Sequence, residues 1–367
     1  MTFGHHDLAR RYLGDLMTMR LLASAIIAGL LSGGCAQSSV PLAPSTSPAG
    51  AARPPGSAMR TTPQLGFFDT PSVGAWPGFI ASGPQNAVWF SEEFTGNIGR
   101  ATMDGQITEF PTNGQEVEGI TEGQDGNLWF TQPGSSAIGR MTPQGAVTVF
   151  PIPGSPNASP RGITSGPDGN LWYTEFYDGY IGRVTTHGVI TRFALPDSYG
   201  SFPWDIKAGP HGYMYVSESG SDKIARFDPK TQQFKSSLAV KTQNATPWGL
   251  LYAPDKRIWF TERTGNKIAE ILPNATIREF AIPQYNSYPQ ALAAGSDGKL
   301  WFTELTTSDS TGNLERIDPA TGKFGNLIVL PTGDLPNTIA SGSNKNIWFT
   351  VDSYANPSQI GEATIRR

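Results

Sequence analysis

Carboxylates are the most regularly placed residues in this sequence that could do chemistry. A glutamate ends an aromatic segment that occurs seven times along the chain, with glutamine or valine at that position in two copies. Carboxylates gathered at one place could hold a metal or another cation, because without a counter-ion they would repel each other. Since the residue recurs in most copies, we favour a structural role in which it accepts hydrogen bonds from backbone or loop groups. The residues at this position, called the second-strand ring, are Glu92, Gln132, Glu175, Glu218, Glu262, Glu304 and Val351.

A second set of candidate residues follows the proline that opens six of the seven copies. Trp204 and Trp248 fall in neighbouring copies, next to Arg161 and near Gln290. Two aromatic faces beside planar hydrogen-bonding groups could hold a flat or sugar-like ligand. The alternative is that each tryptophan fills a gap or covers the neighbouring copy. We call the residues at this position the rim ring, and we predict that all of them except Gly78 contact the ligand. The members of the rim ring are Gly78, Glu118, Arg161, Trp204, Trp248, Gln290 and Asn337.

Other familiar chemistries are missing from the sequence. His187 and His211 lie in turn sequences, and we expect both to be exposed on the face opposite the rim ring. No Ser-His-Asp arrangement, phosphate loop or zinc-ligand spacing is visible. The net charge of −4 and the lack of a basic segment argue against nucleic-acid binding. A hydrophobic content of 38% with a single cysteine excludes a disordered chain and a disulfide-stapled mini-protein.

The elements that must position these residues are short strands. Each copy has a short apolar segment, a turn that is often Asp-Gly, the aromatic segment, a strand such as Ile98-Gly99-Arg100, and a strand such as Ile107-Thr108-Glu109-Phe110. Asp-Gly between apolar segments is typical of a hairpin turn. Four strands in each of seven repeats of 40–47 residues predict an all-β fold, a seven-bladed β-propeller. The aromatic positions that set the period are Trp89, Trp129, Trp172, Tyr215, Trp259, Trp301 and Trp348.

The two ends of the repeat region complement each other. The last copy stops at its third strand, Ile360–Thr364, whereas Leu65–Thr70 resembles the fourth strands elsewhere. We predict that this N-terminal strand completes the seventh blade and closes the ring, which protects the sheet edges. The propeller is therefore expected to span residues 61–367.

The N-terminal region resembles a targeting segment. Residues 1–34 contain a basic residue followed by a short apolar run, which is typical of a signal region, with the true start predicted at Met17 or Met19. Cys35 follows Leu31-Ser32-Gly33-Gly34, which resembles a bacterial lipobox, so we predict lipidation there. An ordinary signal peptide with an incidental cysteine is the alternative. Residues 36–60, rich in Pro, Ser and Ala, are expected to form a flexible tether.

The repeat Gly-x-Asp-Gly-Asn-Leu-Trp-Phe-Thr-Glu, followed by Ile-Gly-Arg and Ile-Thr-Glu-Phe-Pro, resembles the streptogramin B lyase (virginiamycin B lyase) family over all seven copies. The resemblance implies a Mg²⁺-dependent lyase that opens a cyclic depsipeptide antibiotic by elimination across its ester. It also implies two catalytic histidines and two acidic residues. The histidine positions are Gln290 and Asn337 here, Leu335 replaces one acid, and Asp352 keeps the other. Elimination needs groups that exchange protons near neutral pH, which glutamine and asparagine cannot do.

The leading functional hypothesis is therefore binding of a small molecule, glycan or envelope protein by an exported, lipid-anchored or alternatively secreted monomer. The alternative is an enzyme, either a diverged Mg²⁺-dependent carbon–oxygen lyase or a lactone hydrolase. Its weak candidate residues are Asp352, Glu304, Gln290 and Asn337, with Glu304 and Asp352 as possible Mg²⁺ ligands. No cofactor is required by the binding hypothesis.

Overall fold

Seven four-stranded antiparallel sheets make up the described part of this computed structural model, which covers residues 63–113, 116–306, 311–353 and 357–365. The chain divides into two units, residues 1–61 and 62–367, and all the elements below belong to the second. The predicted signal region, the lipidation site Cys35 and the tether 36–60 lie outside the described residues.

Each sheet is one blade, and six blades use four consecutive strands. The seventh combines the last three strands with the first strand of the chain. In blade order the strands are β2 (Pro77–Gly83), β3 (Ala87–Glu92), β4 (Asn97–Thr102), β5 (Ile107–Pro111); β6 (Ile120–Glu122), β7 (Leu128–Gln132), β8 (Ala137–Met141), β9 (Val147–Pro151); β10 (Pro160–Ser165), β11 (Leu171–Glu175), β12 (Tyr180–Val184), β13 (Ile190–Ala194); β14 (Pro203–Ala208), β15 (Met214–Glu218), β16 (Lys223–Asp228), β17 (Gln233–Ala239); β18 (Pro247–Tyr252), β19 (Ile258–Glu262), β20 (Lys267–Ile271), β21 (Ile277–Ala281); β22 (Pro289–Ala294), β23 (Leu300–Thr306), β24 (Thr311–Ile317), β25 (Phe324–Val329); β26 (Asp334–Ser341), β27 (Ile347–Ser353), β28 (Gln359–Thr364) and β1 (Gln64–Asp69).

The predicted closure of the ring is confirmed. β1 pairs with β28 from Gln64 opposite Thr364 to Asp69 opposite Gln359. The Phe68 ring also stacks on Trp348, with centroids 5.6 Å apart, as the outer-strand phenylalanines of other blades stack on their own tryptophans. The seventh blade therefore has the same internal packing as the rest, although its strands come from both ends of the domain.

The core lies between blades, because both faces of each second strand are covered. In β11 every residue of Leu171–Glu175 is buried, and the same holds for β7 and β19. The glycine of the Ile-Gly-Arg strand is required by this packing. A Cβ at Gly99 would lie 2.0 Å from the Phe90 ring, so only a bare backbone lets that ring lie flat across β4.

Three short 3₁₀ turns, Pro84–Asn86, Pro133–Ser135 and Pro210–Gly212, are the helical elements of the described residues. Among those residues no helix has the length and apolar character needed to cross a membrane. His187 and His211 are exposed and lie in turns at the end of each blade opposite the rim ring, as expected from the sequence.

Candidate functional site

A bulge at the start of the first strand presents the rim residue in six of the seven blades. In blade 4, Pro203 pairs with Glu218, and regular pairing resumes only at Ile206 opposite Val216. The same shift follows the opening proline in blades 1, 3, 5, 6 and 7. Bulges re-aim side chains out of the regular pleat. The rim residue therefore leaves the ladder directly beside the second-strand ring.

A hydroxyl in the second strand then fixes the rim backbone to the preceding blade. Thr174 Oγ1, for example, accepts the Gly162 N–H at 3.0 Å and donates to the Trp204 carbonyl of the next blade at 2.9 Å. We call these bonds the blade latches. The six that reach a rim carbonyl are Thr131 to Arg161, Thr174 to Trp204, Ser217 to Trp248, Thr261 to Gln290, Thr303 to Asn337 and Thr350 to Gly78.

The two rim tryptophans lie against each other. The ring centroids of Trp204 and Trp248 are 3.6 Å apart with 21° between the planes, and both side chains are half-buried. The guanidinium of Arg263 lies over Trp248 at 4.8 Å, and that of Arg161 lies 5.5 Å from Trp204. The result is a four-member stack with a cation at each end. Cations favour such positions because the aromatic face carries negative electrostatic potential.

The stack joins two neighbouring blades. The faces of Trp204 and Trp248 that meet cannot admit a flat ligand between them, so the pair does join blades 4 and 5. Both rings remain half-buried, with the guanidinium groups of Arg161 and Arg263 beside them.

Aromatic residues that the sequence interpretation missed extend the stack. The Phe176 ring stacks on Phe202 at 5.1 Å and packs in a T-shaped arrangement with Trp204 at 5.8 Å. Tyr177 lies against Phe176 at 5.2 Å and is 45% exposed. Their positions in the sequence could have indicated a place on the rim. Phe176 directly follows Glu175 of the second-strand ring, and Phe202 directly precedes Pro203.

An ion pair occupies the neighbouring part of the rim. Arg161 pairs with Glu118, and both side chains are buried. Carboxylate oxygens of Glu93 and Glu116 lie within 4.8 Å of one oxygen of Glu118 and of each other. Neither Glu93 nor Glu116 was predicted from the sequence. Three carboxylates therefore gather here near the guanidinium of Arg161, which also caps the Trp204 end of the stack.

The remaining predicted site residues are spread along the rim. Gln290 is buried and its amide donates to the Tyr288 carbonyl at 2.6 Å, whereas Asn337 is half-buried. Asp352 is 8% exposed and pairs in register with Leu335, while Glu304 is fully buried opposite Pro289. Among the described residues, the group of three acidic side chains with oxygens close enough to share an ion is Glu93, Glu116 and Glu118, which contains neither Glu304 nor Asp352.

The carboxylates of the second-strand ring are buried, and burial is the largest cause of their raised pKa values. The pKa is raised to about 7 for Glu92, Glu218 and Glu262, and to about 8 for Glu304. Loop groups act against this effect, since Thr95 and Asn97 donate to Glu92 and Ser221 donates to Glu218. In Glu175 the Arg192 guanidinium opposes the rise. These bonds supply the loop-anchoring role favoured from the sequence.

Fold and site together define a seven-bladed β-propeller with an aromatic, ion-paired rim at the openings of its blades. The chain belongs to the virginiamycin B lyase family, whose sequence model matches residues 57–238 and 231–366. The resemblance seen in the repeat is thereby confirmed, as is the predicted fold.

Solved structures support the same assignment. A streptogramin B lyase structure is 29% identical, with a TM-score of 0.76, and the match covers 84% of this chain and all of that one. A catalytically inactive virginiamycin B lyase from Staphylococcus aureus, solved with quinupristin, is 29% identical with a TM-score of 0.73 over 83% of this chain and 100% of that chain. Hydrazine synthase from Kuenenia stuttgartiensis, at 14% identity and a TM-score of 0.64 over 84% of this chain and 99% of that one, shares the fold alone. A comparison with curated proteins found no match.

Proposed function

We propose that this protein binds a small molecule carrying rings and amide or ester groups at the rim, and does not open it. The observation that carries the proposal is the stack of Arg161, Trp204, Trp248 and Arg263. It offers half-buried aromatic rings beside hydrogen-bond donors, which is the usual composition of a small-molecule site. Gln290 and Asn337 add amide groups farther along the same rim.

The residues at the reacting positions of the family support binding over elimination. Gln290 and Asn337 stand where the resemblance implies proton-transferring histidines, and neither side chain gains or loses a proton near neutral pH. Glu304 has a pKa of about 8, which would suit a base, but its side chain is fully buried. A general base must come within hydrogen-bond reach of the proton that it removes.

The relatives support the proposed class of ligand. The Staphylococcus aureus structure pairs an inactive virginiamycin B lyase with quinupristin, and that protein is 29% identical over its whole length. A chain that keeps the propeller but lacks the histidines is suited to hold such a ligand unchanged. We further propose that the protein acts as a monomer outside the cytoplasm, lipid-anchored through Cys35 or otherwise secreted. A glycan or an envelope protein remains the other class of partner.

The test uses the purified full-length protein with quinupristin, with and without Mg²⁺. Titration calorimetry measures binding, and chromatography with mass spectrometry follows the ligand. We expect binding with unchanged mass and retention. A product of unchanged mass but shifted retention would establish elimination, and one heavier by a water would establish hydrolysis; either overturns the proposal, as does the absence of binding.

A pair of variants localises the binding. Trp248→Leu removes one half of the stack and should weaken binding by about tenfold or more, as expected for a central aromatic contact. Tyr252→Leu changes an aromatic residue at the opposite end of the same strand, β18, and should leave the affinity unchanged. Equal effects of the two substitutions would place the ligand elsewhere.

A further inference from the structure

Blade 6 carries a carboxylate where the other blades carry a very small residue. Glu315 occupies the middle of the third strand, opposite Phe302. The packing of the blade does not require a carboxylate at this position, because glycine or alanine occupies it in the other six blades. The equivalent residues of the other six blades are Gly99, Gly139, Gly182, Ala225, Ala269 and Gly361.

Glu315 and Glu304 share one face of the β23–β24 hairpin. Glu304 pairs with Asn313, and Phe302 pairs with Glu315, so the two carboxylates are diagonal neighbours on the same side of the pair. Glu304 is 0% exposed and Glu315 is 3% exposed. Two buried carboxylates on adjacent strands are unfavourable unless something neutralises them.

No basic side chain does so. Among the described residues, neither Glu304 nor Glu315 forms an ion pair with a lysine or arginine. Two other buried glutamates are neutralised by arginine, since Arg192 pairs with Glu175, and both Arg257 and Arg278 pair with Glu270. The groups that face Glu304 are Glu315, Asn313 and Ser287, and the group that faces Glu315 besides Glu304 is Gln284.

Three oxygens at this place lack a hydrogen-bond donor within the described chain. They are Glu304 Oε1, Glu315 Oε2 and the side-chain oxygen of Gln284. Asn313 donates to the other oxygen of Glu304 at 3.3 Å, which leaves Oε1 unused on a fully buried side chain. Buried polar atoms almost always have a partner. Glu92, Glu218 and Glu262 also carry orphaned oxygens, but in blade 6 the orphaned oxygens come from two buried carboxylates on paired strands and a neighbouring amide, which favours a missing positive group.

We propose that Glu304, Glu315 and Gln284 form a binding site for a hard divalent cation in blade 6. Carboxylate and amide oxygens are the ligands that Ca²⁺ and Mg²⁺ prefer, and water molecules would complete the coordination. The site lies on the hairpin and the loop leading into blade 6, so a bound cation would fix the loop between Gln284 and Pro289 that sets the position of Gln290. It is distinct from the aromatic stack and does not depend on the ligand proposed above.

The experiment measures cation binding by the full-length protein after removal of metals with EDTA. Titration with CaCl₂ or MgCl₂ at pH 8 should show about one ion bound per chain, with a rise in Tm on addition of that ion. Glu315→Gln removes one ligand charge without changing shape and should weaken binding by more than about tenfold. Glu218→Gln changes the equivalent of Glu304 in blade 4, where no second buried carboxylate is diagonal to it, and should keep wild-type binding.

A second variant guards against misfolding. Glu315→Ala introduces the residue that blades 4 and 5 already carry at this position, so it is compatible with the fold. The Tm of this variant should be insensitive to EDTA and to added cation. The proposal is overturned if neither cation binds to the wild type, if both Glu315 variants bind as tightly as the wild type, or if Glu218→Gln loses binding to the same extent.

Discussion

Each buried tryptophan of the core carries one indole N–H that needs an acceptor, and in four of the six an aspartate of the preceding turn supplies it. Trp348 donates instead to Asn344, and Trp89 donates to the Pro84 carbonyl. Trp172 Nε1 donates to Asp168 at 2.9 Å, and Trp259 donates to Asp255 at 3.0 Å. Blade 4 has Tyr215 in place of the tryptophan and no aspartate in its turn. The aspartate therefore has two roles in these blades. It shapes the turn, and it accepts the indole hydrogen bond of the tryptophan that follows the turn.

A substitution in this turn should be costly because it removes both roles. Asp168→Ala leaves the Trp172 N–H without its acceptor and removes the bonds to Asn170. A buried donor left without a partner costs about 1–3 kcal/mol. We expect a loss of this size in the free energy of unfolding, measured by urea denaturation. Asp104→Ala alters an exposed turn without an indole partner and should cost less than about 0.5 kcal/mol; equal losses would contradict the assignment.

At the scale of the element, the blade latches explain why a threonine or serine stands before the second-strand ring in every copy. Thr261 Oγ1 accepts the Gly249 N–H and donates to the Gln290 carbonyl, both at 3.0 Å. The first bond holds the bulge within the blade, and the second ties it to the next blade. Rim residues as different as Trp248, Gln290 and Asn337 can therefore occupy the same place, because their backbone is held independently of their side chains.

Removal of one latch should weaken the contact between two blades. Thr261→Val keeps the shape of the side chain but leaves the Gly249 N–H and the Gln290 carbonyl without their partner. The expected loss is about 2–3 kcal/mol in the free energy of unfolding, because both groups are buried. Thr148→Val, at an exposed position of β9, is the matched control and should be neutral. A small effect of Thr261→Val would mean that water replaces the hydroxyl.

The sequence predicted the elements better than the site, and the residues show why. The seven blades and the closing strand β1 follow from the period of the repeat, which every copy reinforces. The sequence did not predict roles for Phe176, Phe202 and Glu315 because each occurs once. The two phenylalanines lie outside the shared motif, and Glu315 replaces its small residue. The stacking of Trp204 on Trp248 also depends on the distance between two blades, which no local pattern reports.

At the scale of the whole molecule, buried carboxylates should make the stability of the propeller fall as the pH rises. Glu92, Glu218, Glu262, Glu304 and Glu315 have pKa values raised from the ordinary 4.5 to about 7 or 8, with burial as the largest cause. A group whose pKa is higher in the folded than in the unfolded chain contributes stability below its unfolded pKa. That contribution is lost as the pH rises through the folded pKa.

The measurable window is therefore about pH 5 to 8.5, studied in EDTA so that no divalent cation compensates the charge. One unit of pKa corresponds to about 1.4 kcal/mol, so ionisation of several groups should lower the free energy of unfolding by several kcal/mol across this window. Asp228, Asp318 and Glu279 have lowered pKa values, so they destabilise the fold only at more acidic pH and do not act in this window. Glu218→Gln mimics the protonated form of one carboxyl group, so the free energy of unfolding should fall less steeply with pH, by the contribution of that one group. Glu122→Gln is the control, because it changes an exposed carboxylate at the opposite end of blade 2. This control variant should keep the wild-type slope. A Tm that stays constant or increases from pH 5 to 8.5 would contradict the raised pKa values assigned to these buried carboxylates.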